Sequence, residues 1–376
     1  MRLRLDDLPV LSRSTVDRQE SLRDDEERQR QLWPTARVML VDRHGRFAVS
    51  RDGGGPVFTP AAELGESIVD GAVLLGEQDG VEYWAVPVDG PASGSSAPAA
   101  KAARRASASV DEAARGSSVP VDEAARGPSV PVAEAANGSS AAAAEAGYEW
   151  TDLRRSGADL DATAAGLAVT AVAVLGWHRR APYCPGCGRP SKAARAGWAR
   201  RCADCDVEDY PRTDPAVICL VHDGADHVLV ARGPSWPPGR FSVLAGFVEA
   251  GESLEACVVR EVAEEVGVAV SDVHYLGSQP WPFPRSLMIG FEARADRSAP
   301  LAPADNEIAE ARWVHRDAVR AALAHGSWAD RAGPVHGAHP ELVLPGPVSI
   351  AGQMLRSWAA AHGVPPSTTN TAEMGL

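Results

Sequence analysis

Residues 246–268 read Gly-Phe-Val-Glu-Ala-Gly-Glu-Ser-Leu-Glu-Ala-Cys-Val-Val-Arg-Glu-Val-Ala-Glu-Glu-Val-Gly-Val. A glycine loop ends in Glu252, and the helix predicted after it carries Arg260, Glu261, Glu264 and Glu265 on its last two turns. Gly267 stands where a helix closes through a positive φ. Spacings of three and four residues bring the three carboxylates near one helical face. Like charges so placed cost an isolated helix about 0.2–0.5 kcal/mol per pair. A hard divalent cation with oxygen ligands, Mg2+ or Mn2+, removes that repulsion and suits carboxylates shared with substrate phosphates. Leu254, Val258 and Val262 recur at every fourth position and give the helix an apolar seam. Arg260, one turn before Glu264, can hold a carboxylate bidentately. Three glutamates alone would equally fit a solvated acidic helix; the spacing of the whole stretch decides the matter.

Gly246, Glu252, Arg260-Glu261-Val262, Glu264-Glu265 and Gly267-Val268 fill every position of the Nudix box, Gly-x5-Glu-x7-Arg-Glu-U-x-Glu-Glu-x-Gly-U with U aliphatic. The chain therefore resembles a Nudix hydrolase, a family that hydrolyses nucleoside diphosphates linked to another moiety. The resemblance implies an αβα sandwich around the box helix.

Composition sets the outer bounds. A chain of 376 residues should hold two or three domains. A formal net charge of −13 argues against a protein that coats nucleic acid, while leaving room for a local basic patch. The sequence contains no apolar run long enough for a membrane span, and its N-terminus lacks a signal-peptide core. A soluble, cytoplasmic protein is expected, with no membrane partner. Four of the 6 cysteines form two CxxC pairs, which in such a compartment point to metal before disulfides. Cys219 and Cys257 sit in apolar segments and read as small buried residues.

Taken in order, residues 1–90 form a small, mostly β N-terminal domain, with a helix expected over 16–32. Strands flank a turn at His44-Gly45 and another at Gln78-Asp79-Gly80. Residues 91–147 repeat Val-Asp-Glu-Ala-Ala-Arg-Gly with an 11-residue period and are rich in Ala, Ser, Gly and Pro. Each repeat lacks an apolar face large enough to stack, so a disordered insertion is expected. Residues 148–178 form a connecting helix. Residues 179–210 hold Cys184-Pro185-Gly186-Cys187 and Cys202-Ala203-Asp204-Cys205, two knuckles that bring four thiolates into tetrahedral reach. With Cys184, Cys187, Cys202 and Cys205 all ligating, no open position remains, so one structural Zn2+ is expected. Arg179, Arg180, Arg189, Lys192, Arg195, Arg200 and Arg201 crowd this ribbon, and two readings stand: a phosphate or RNA contact, or charge that keeps a small ribbon soluble. Residues 211–363 form the catalytic domain. A strand over 241–244 should deliver the box, and another over 273–277 should run into a proline-aromatic loop. Helices are expected over 316–324 and 349–361, and residues 364–376 form a disordered tail. The predicted class is α+β: a Nudix αβα sandwich preceded by a zinc ribbon and a small mostly β, Nudix-like N-terminal domain.

Ser278-Gln279-Pro280-Trp281-Pro282-Phe283-Pro284, close behind the box, resembles the signature of the NADH pyrophosphatase subfamily. The preceding zinc ribbon and the Tyr210-Pro211-Arg212-Thr213-Asp214-Pro215 entry match its layout, whereas the repeat-bearing insertion departs from it. A dinucleotide presents two flat rings joined by a diphosphate, so its site needs stacking surfaces as well as metal. The resemblance places stacking on Phe247 and Tyr210, with Trp281 in the signature itself, and substrate contacts on Gln279, Ser286 and Ala351. It adds Glu307 to Glu261, Glu264 and Glu265 as a holder of two or three Mg2+ or Mn2+ ions; as a residue alone, Glu307 also reads as a surface acid. It gives Arg260 and Glu252 supporting roles, and Glu264 or Glu265 the part of base. The implied reaction converts NADH or NAD+ to NMNH or NMN and AMP, extends to NAD-capped RNA, and belongs to a homodimer. Two other readings are a Nudix hydrolase of ADP-ribose or diadenosine polyphosphates, and a non-catalytic nucleotide- or RNA-binding module. Such modules usually lose box carboxylates, and all of them stand here.

Overall fold

In a computed structural model the described residues are 3–53, 55–89, 148–304, 307–326 and 342–361. The expected disorder of 91–147 and 364–376 concerns residues outside these. They form two compact units, Ser14–Arg212, and Met1–Arg13 with Thr213–Leu376.

The first unit is built on a six-stranded sheet. Its strands are β1 (Arg37–Asp42), β2 (Phe47–Ser50), β3 (Phe58–Pro60), β4 (Val73–Gln78), β5 (Val81–Val88) and β6 (Tyr148–Thr151). They run in the order β4-β5-β1-β2-β6, with β3 also paired to β1. Side chains alternate across a strand, so Val38 and Leu40 of β1 join the cluster around Trp33 and Trp84. Met39 and Val41 face the other way and are equally buried. Trp33 and Trp84 meet edge to face with centroids 5.6 Å apart. Helix Ala162–Arg180, capped by Asp161 Oδ1 on the Ala164 amide, packs against β1, β4 and β5. The helix expected over 16–32 is shorter: a 3-10 turn spans Glu20–Asp24, and the α-helix Glu26–Leu32 starts only after its cap Asp25. Asp25 accepts from the Arg28 amide at 2.9 Å, so this cap sets the helix start.

The same unit carries the ribbon, β7 (Ser191–Ala194), β8 (Ala199–Cys202) and β9 (Glu208–Asp209) in one small sheet. Trp198 Nε1 donates to Leu74 O at 2.7 Å, and Arg23 lies over the Trp198 ring at 3.9 Å. His178 Nε2 lies 2.7 Å from the Gly197 carbonyl. A carbonyl only accepts, so Nε2 carries the proton and Nδ1 accepts from Arg200 at 3.1 Å. Of the basic residues crowded here, Arg195 pairs with Asp24, Arg201 with Asp206, and Arg200 with Ser191 and His178. These three hold the unit's own structure together.

The second unit is an αβα sandwich. Its strands are β10 (Asp214–His222), β11 (His227–Arg232), β12 (Leu244–Phe247), β13 (Val270–Trp281), β14 (Ser286–Ala295) and β15 (Glu310–His315). Their order is β13-β14-β10-β11-β15, with β12 paired to β10 and β14 parallel to β10. Alternation on β10 divides two cores. Val217, Cys219 and Val221 pack with the box helix Leu254–Val266, while Ile218 and Leu220 pack with helix Ile350–Ala360 and with Val319 and Ala322 of helix Arg316–Ala324. Fully burying one such aliphatic side chain contributes roughly 1.5–3 kcal/mol. Two expectations shift. The delivering strand begins at Leu244 and includes Gly246 itself, while Phe241 is followed by a bridge from Ser242 to Ala231. Ser278–Trp281 is not loop but the end of β13, paired with Ser286–Ile289. Pro280 is tolerated because β13 lies at the end of the strand order, where a missing N–H breaks no outer ladder.

Gly197 has φ +86, and a Cβ there would meet Val73 Cγ2 at 2.7 Å. Gly197→Ala is expected to destabilise the first unit by more than about 1 kcal/mol, read as a lowered midpoint in denaturant unfolding followed by tryptophan fluorescence.

Candidate active site and zinc centre

The box helix is held at both ends. Ser253 Oγ accepts from the Ala256 amide at 3.2 Å, and Gly267 closes the helix at φ 77. Two of its last carbonyls are met from one loop: Ala302 N donates to Val266 O at 2.8 Å and Ala304 N to Glu265 O at 3.0 Å. Glu307 N then donates back to Ala304 O at 3.0 Å. The loop that caps the helix therefore also brings Glu307 beside the box, where its charge acts on both Glu261 and Glu265.

Arg260 is the hub of the acidic face. Its Nε and Nη2 grip Glu252 Oε1 and Oε2 at 2.8 and 2.9 Å, while Nη1 reaches Glu261 Oε1 at 3.0 Å and Glu264 Oε2 at 2.9 Å. Nη2 also donates to Phe247 O at 3.0 Å, tying the helix to the strand it faces. Hydrogen bonding to Arg260 is the main cause that holds Glu252 down at about 2. The same carboxylates push the Arg260 guanidinium further up, Glu252 first.

Two carboxylates go the other way. Burial raises Glu261 despite Arg260, with Glu264 and Glu307 adding to the rise. Burial, then the charges of Glu261 and Glu307, raise Glu265 to about 8, opposed by a hydrogen bond from the Ala245 amide. Glu265 is 8% exposed, and its Oε2 is buried with no hydrogen-bond partner. A buried oxygen without a partner is costly unless something outside the protein's own groups meets it. Gly246 explains how the carboxyls come so close to the strand: a Cβ there would lie 1.8 Å from Glu261 Cδ. An oxygen-only donor set with one orphaned acceptor fits a hard divalent cation.

The remaining expected residues are scattered in environment. Phe247 is 57% exposed beside the box. Trp281 stacks edge to face on Phe283 at 5.0 Å, and Ser286 is buried at the start of β14. Ala351 is buried, its amide donating to Ser349 Oγ at 3.2 Å. Gln279 is 0% exposed, and its Nε2 donates to Val348 O at 2.8 Å. Tyr210 lies in the other unit, 52% exposed, its hydroxyl donating to Glu208. Cys219 and Cys257 are buried and their thiols raised by burial, Cys257 to about 12. Sequence reasoning misses the Ala245 amide and the capping amides of Ala302 and Ala304, because a backbone contact leaves no mark in residue type.

In the ribbon, Cys184, Cys187, Cys202 and Cys205 place their sulfurs all within 4.8 Å of one another. The Cys184–Cys205 and Cys187–Cys202 separations are both 3.5 Å. A disulfide would need about 2.05 Å, whereas tetrahedral Zn–S bonds of about 2.3 Å set neighbouring sulfurs about 3.8 Å apart. Backbone N–H groups of Cys187 and Gly186 help lower Cys184 to about 7, the thiolate form a metal needs. At Cys205 the Val207 amide works downward, but the Cys187 and Cys184 thiols outweigh it and push the group up to about 12.

Known protein families match the chain along most of its length. The model for the NUDIX domain matches residues 212–334, that for the NADH pyrophosphatase zinc ribbon domain residues 179–210, and that for the NADH pyrophosphatase-like rudimentary NUDIX domain residues 35–177. The NAD-capped RNA hydrolase NudC of Mycobacterium bovis is 41% identical over 94% of this chain and 96% of its own. That of Mycobacterium tuberculosis gives the same identity and coverage. The protein of that name from Pseudomonas aeruginosa is 49% identical over 38% of this chain and 51% of its own. Fold and box together define a hydrolase that depends on a divalent metal and carries a zinc ribbon. More narrowly, the chain belongs to the NADH pyrophosphatase family of Nudix hydrolases.

Gly246→Ala should force the Glu261 carboxyl off the strand. A displacement near 1 Å can cost about 100-fold, and a loss of that order in kcat/KM with retained secondary structure is expected. A second expectation concerns pH. Glu265 binds its proton more tightly folded than unfolded, so the metal-free protein loses stability as pH rises from about 4.5 through about 8. A metal must displace that proton, so Mg2+ or Mn2+ affinity should rise about tenfold per unit below pH 8 and level off above it, as calorimetric titration at several pH values would show.

Proposed function

We propose that this chain hydrolyses the diphosphate of NADH or NAD+ to NMNH or NMN and AMP. The same chemistry on NAD-capped RNA would leave a 5′-monophosphate end, the activity named for its mycobacterial relatives. The observation that carries the reading is the partnerless Glu265 Oε2, buried and within the charge of Glu261 and Glu307, with the Glu261 carboxyl set against Gly246.

In this reading Glu261, Glu264, Glu265 and Glu307 hold two or three Mg2+ or Mn2+ ions. Bound there, divalent ions supply charge neutralisation at the diphosphate and a more acidic water. Arg260, fixed by Glu252, keeps Glu261 and Glu264 turned to one side of the helix. Glu264 or Glu265 accepts the proton of the attacking water. Exposed Phe247 offers a face to one flat ring, and Trp281, Ser286 and the Ala351 backbone contribute contacts around the other parts of the substrate. Zn2+ on the four cysteines is structural, one ion with no open position. The insertion over 91–147, the ribbon over 179–210, the catalytic domain over 211–363, the tail over 364–376, cytoplasmic residence and a homodimer complete the proposal. The expected bounds 1–90 and 148–178 give way, because Met1–Arg13 group with the catalytic unit and Tyr148–Thr151 is a strand paired to β2, with the long helix only over Ala162–Arg180. No helix among the described residues is long and apolar enough to cross a membrane.

A panel of NADH, NAD+, ADP-ribose, diadenosine polyphosphate and NAD-capped RNA, with products identified by mass, tests the reading. NADH or capped RNA should lead, with NMNH or NMN among the products from the dinucleotides and AMP as their common partner. Glu265→Gln should lower turnover by about 100-fold or more without changing the fold. Leading turnover of ADP-ribose would overturn the substrate assignment, and near wild-type turnover by Glu265→Gln the assignment of the site.

A further inference from the structure

Gln279 sits in the signature stretch Ser278–Pro284, and its side chain is 0% exposed and committed inside the protein. It lies on β13 opposite Met288 of β14. Its Nε2 donates to Val348 O at 2.8 Å, a buried bond between positions 69 residues apart. Its Oε1 is buried and has no partner. Val348 immediately precedes Ser349, the cap of helix Ile350–Ala360, whose Oγ accepts from the Ala351 amide. This helix start has little room to shift. A Cβ on Gly352 would come within 2.2 Å of Gly346 O, and Ser349 N already donates to that same carbonyl at 3.2 Å.

The strand is braced from its other side by the first residues of the chain, which belong to this unit. Ser12 Oγ donates to Ser278 O at 2.7 Å, directly before Gln279. Further along the same segment Leu3 N donates to both oxygens of buried Glu292, and Asp6 N to Ser357 Oγ at 3.1 Å. Leu3 and Leu5 pack on the core beneath helix Ile350–Ala360, and Leu11 is buried. The segment is thus fastened to β13, to β14 and to that helix.

We propose that Gln279 is a positioning residue: with Ser12 behind it, it locks the Ser278–Trp281 strand to the Ser349–Ala351 helix start, and so sets the distance between two walls of the substrate site. The proposal rests on the reading that Trp281 and Ala351 face the substrate. Met can fill the space of Gln while removing the donor, which leaves Val348 O buried and unmet. Losing one buried partner in this way corresponds to about a tenfold effect.

The test uses the full chain as Gln279→Met and, as a gentler variant, Ser12→Ala. Steady-state kinetics on NADH are read beside backbone hydrogen exchange of the substrate-free proteins. For Gln279→Met, KM should rise about tenfold with kcat within about threefold, and exchange over 343–352 should quicken before any substrate is added. Ser12→Ala should quicken exchange over 276–281 with a smaller rise in KM. Lost kcat with unchanged exchange would make Gln279 a direct catalytic contact and overturn the proposal, as would unchanged kinetics and exchange. If Gln279→Met fails to fold, unchanged exchange and KM in Ser12→Ala overturn the brace. Should the wild type not hydrolyse NADH, the functional reading fails, while the exchange data still decide the brace.

Discussion

Three carboxyl groups held against one another at a strand are what the second unit is built to tolerate. Glu261, Glu265 and Glu307 all act on the same small volume, and burial drives the first two toward their neutral forms. One arginine cannot neutralise them. Arg260 is already committed to both oxygens of Glu252, to Glu261, to Glu264 and to a carbonyl of the strand. Its role is geometric: it fixes which way the outer carboxylates turn and leaves the inner one, Glu265, without a cation. The unit thereby holds, before any metal arrives, an arrangement that its own charges oppose.

Such an arrangement persists only if the backbone around it cannot relax. The box helix has a side-chain cap at its start, a left-handed glycine at its end, and two loop amides on its last carbonyls. Its inner face is filled by Cys257, Val258, Val262 and Val266. Glycine at 246 lets the strand approach the Glu261 carboxyl until no room for a Cβ remains between them. Each device is ordinary; together they remove the rotations and shifts by which the carboxyls would otherwise separate.

Much of this was legible in the sequence because it depends on side-chain type at fixed spacing. Box residues, cysteine knuckles, the valine seam and both C-terminal helices all have such spacing, and the charge of Glu307 acts on Glu261 and Glu265. What was not legible depends on strand position and on backbone. Ser278–Trp281 reads as a loop because proline usually breaks strands, and only the placing of β13 at the end of the strand order makes Pro280 acceptable. The resemblance gives Gln279 a substrate contact, and nothing in its sequence neighbours reveals that Val348 O, far away in sequence, accepts its hydrogen bond. The ribbon's basic residues look like one patch, yet Arg195, Arg200 and Arg201 each find a partner inside their own unit.

The two units meet a common difficulty by related means. Each must hold a potential metal site whose ligands repel or compete in its absence, and each anchors that site by backbone as much as by side chain. In the ribbon, amides of Cys187 and Gly186 favour the thiolate at Cys184, while crowding by its neighbours suppresses ionisation at Cys205. In the catalytic unit, the Ala245 amide favours the carboxylate at Glu265, while burial suppresses it. In both, one group, Cys205 or Glu265, is raised by its surroundings and would shed its proton more readily if a cation replaced it. The two sites differ in how much of the metal's coordination the protein fills. In the proposed reading four thiolates would close the ribbon's coordination, which suits a scaffold, whereas carboxylates along one side of a helix would leave room for oxygens from elsewhere. A diphosphate brings such oxygens, which is why the open, incompletely neutralised set is the one suited to chemistry.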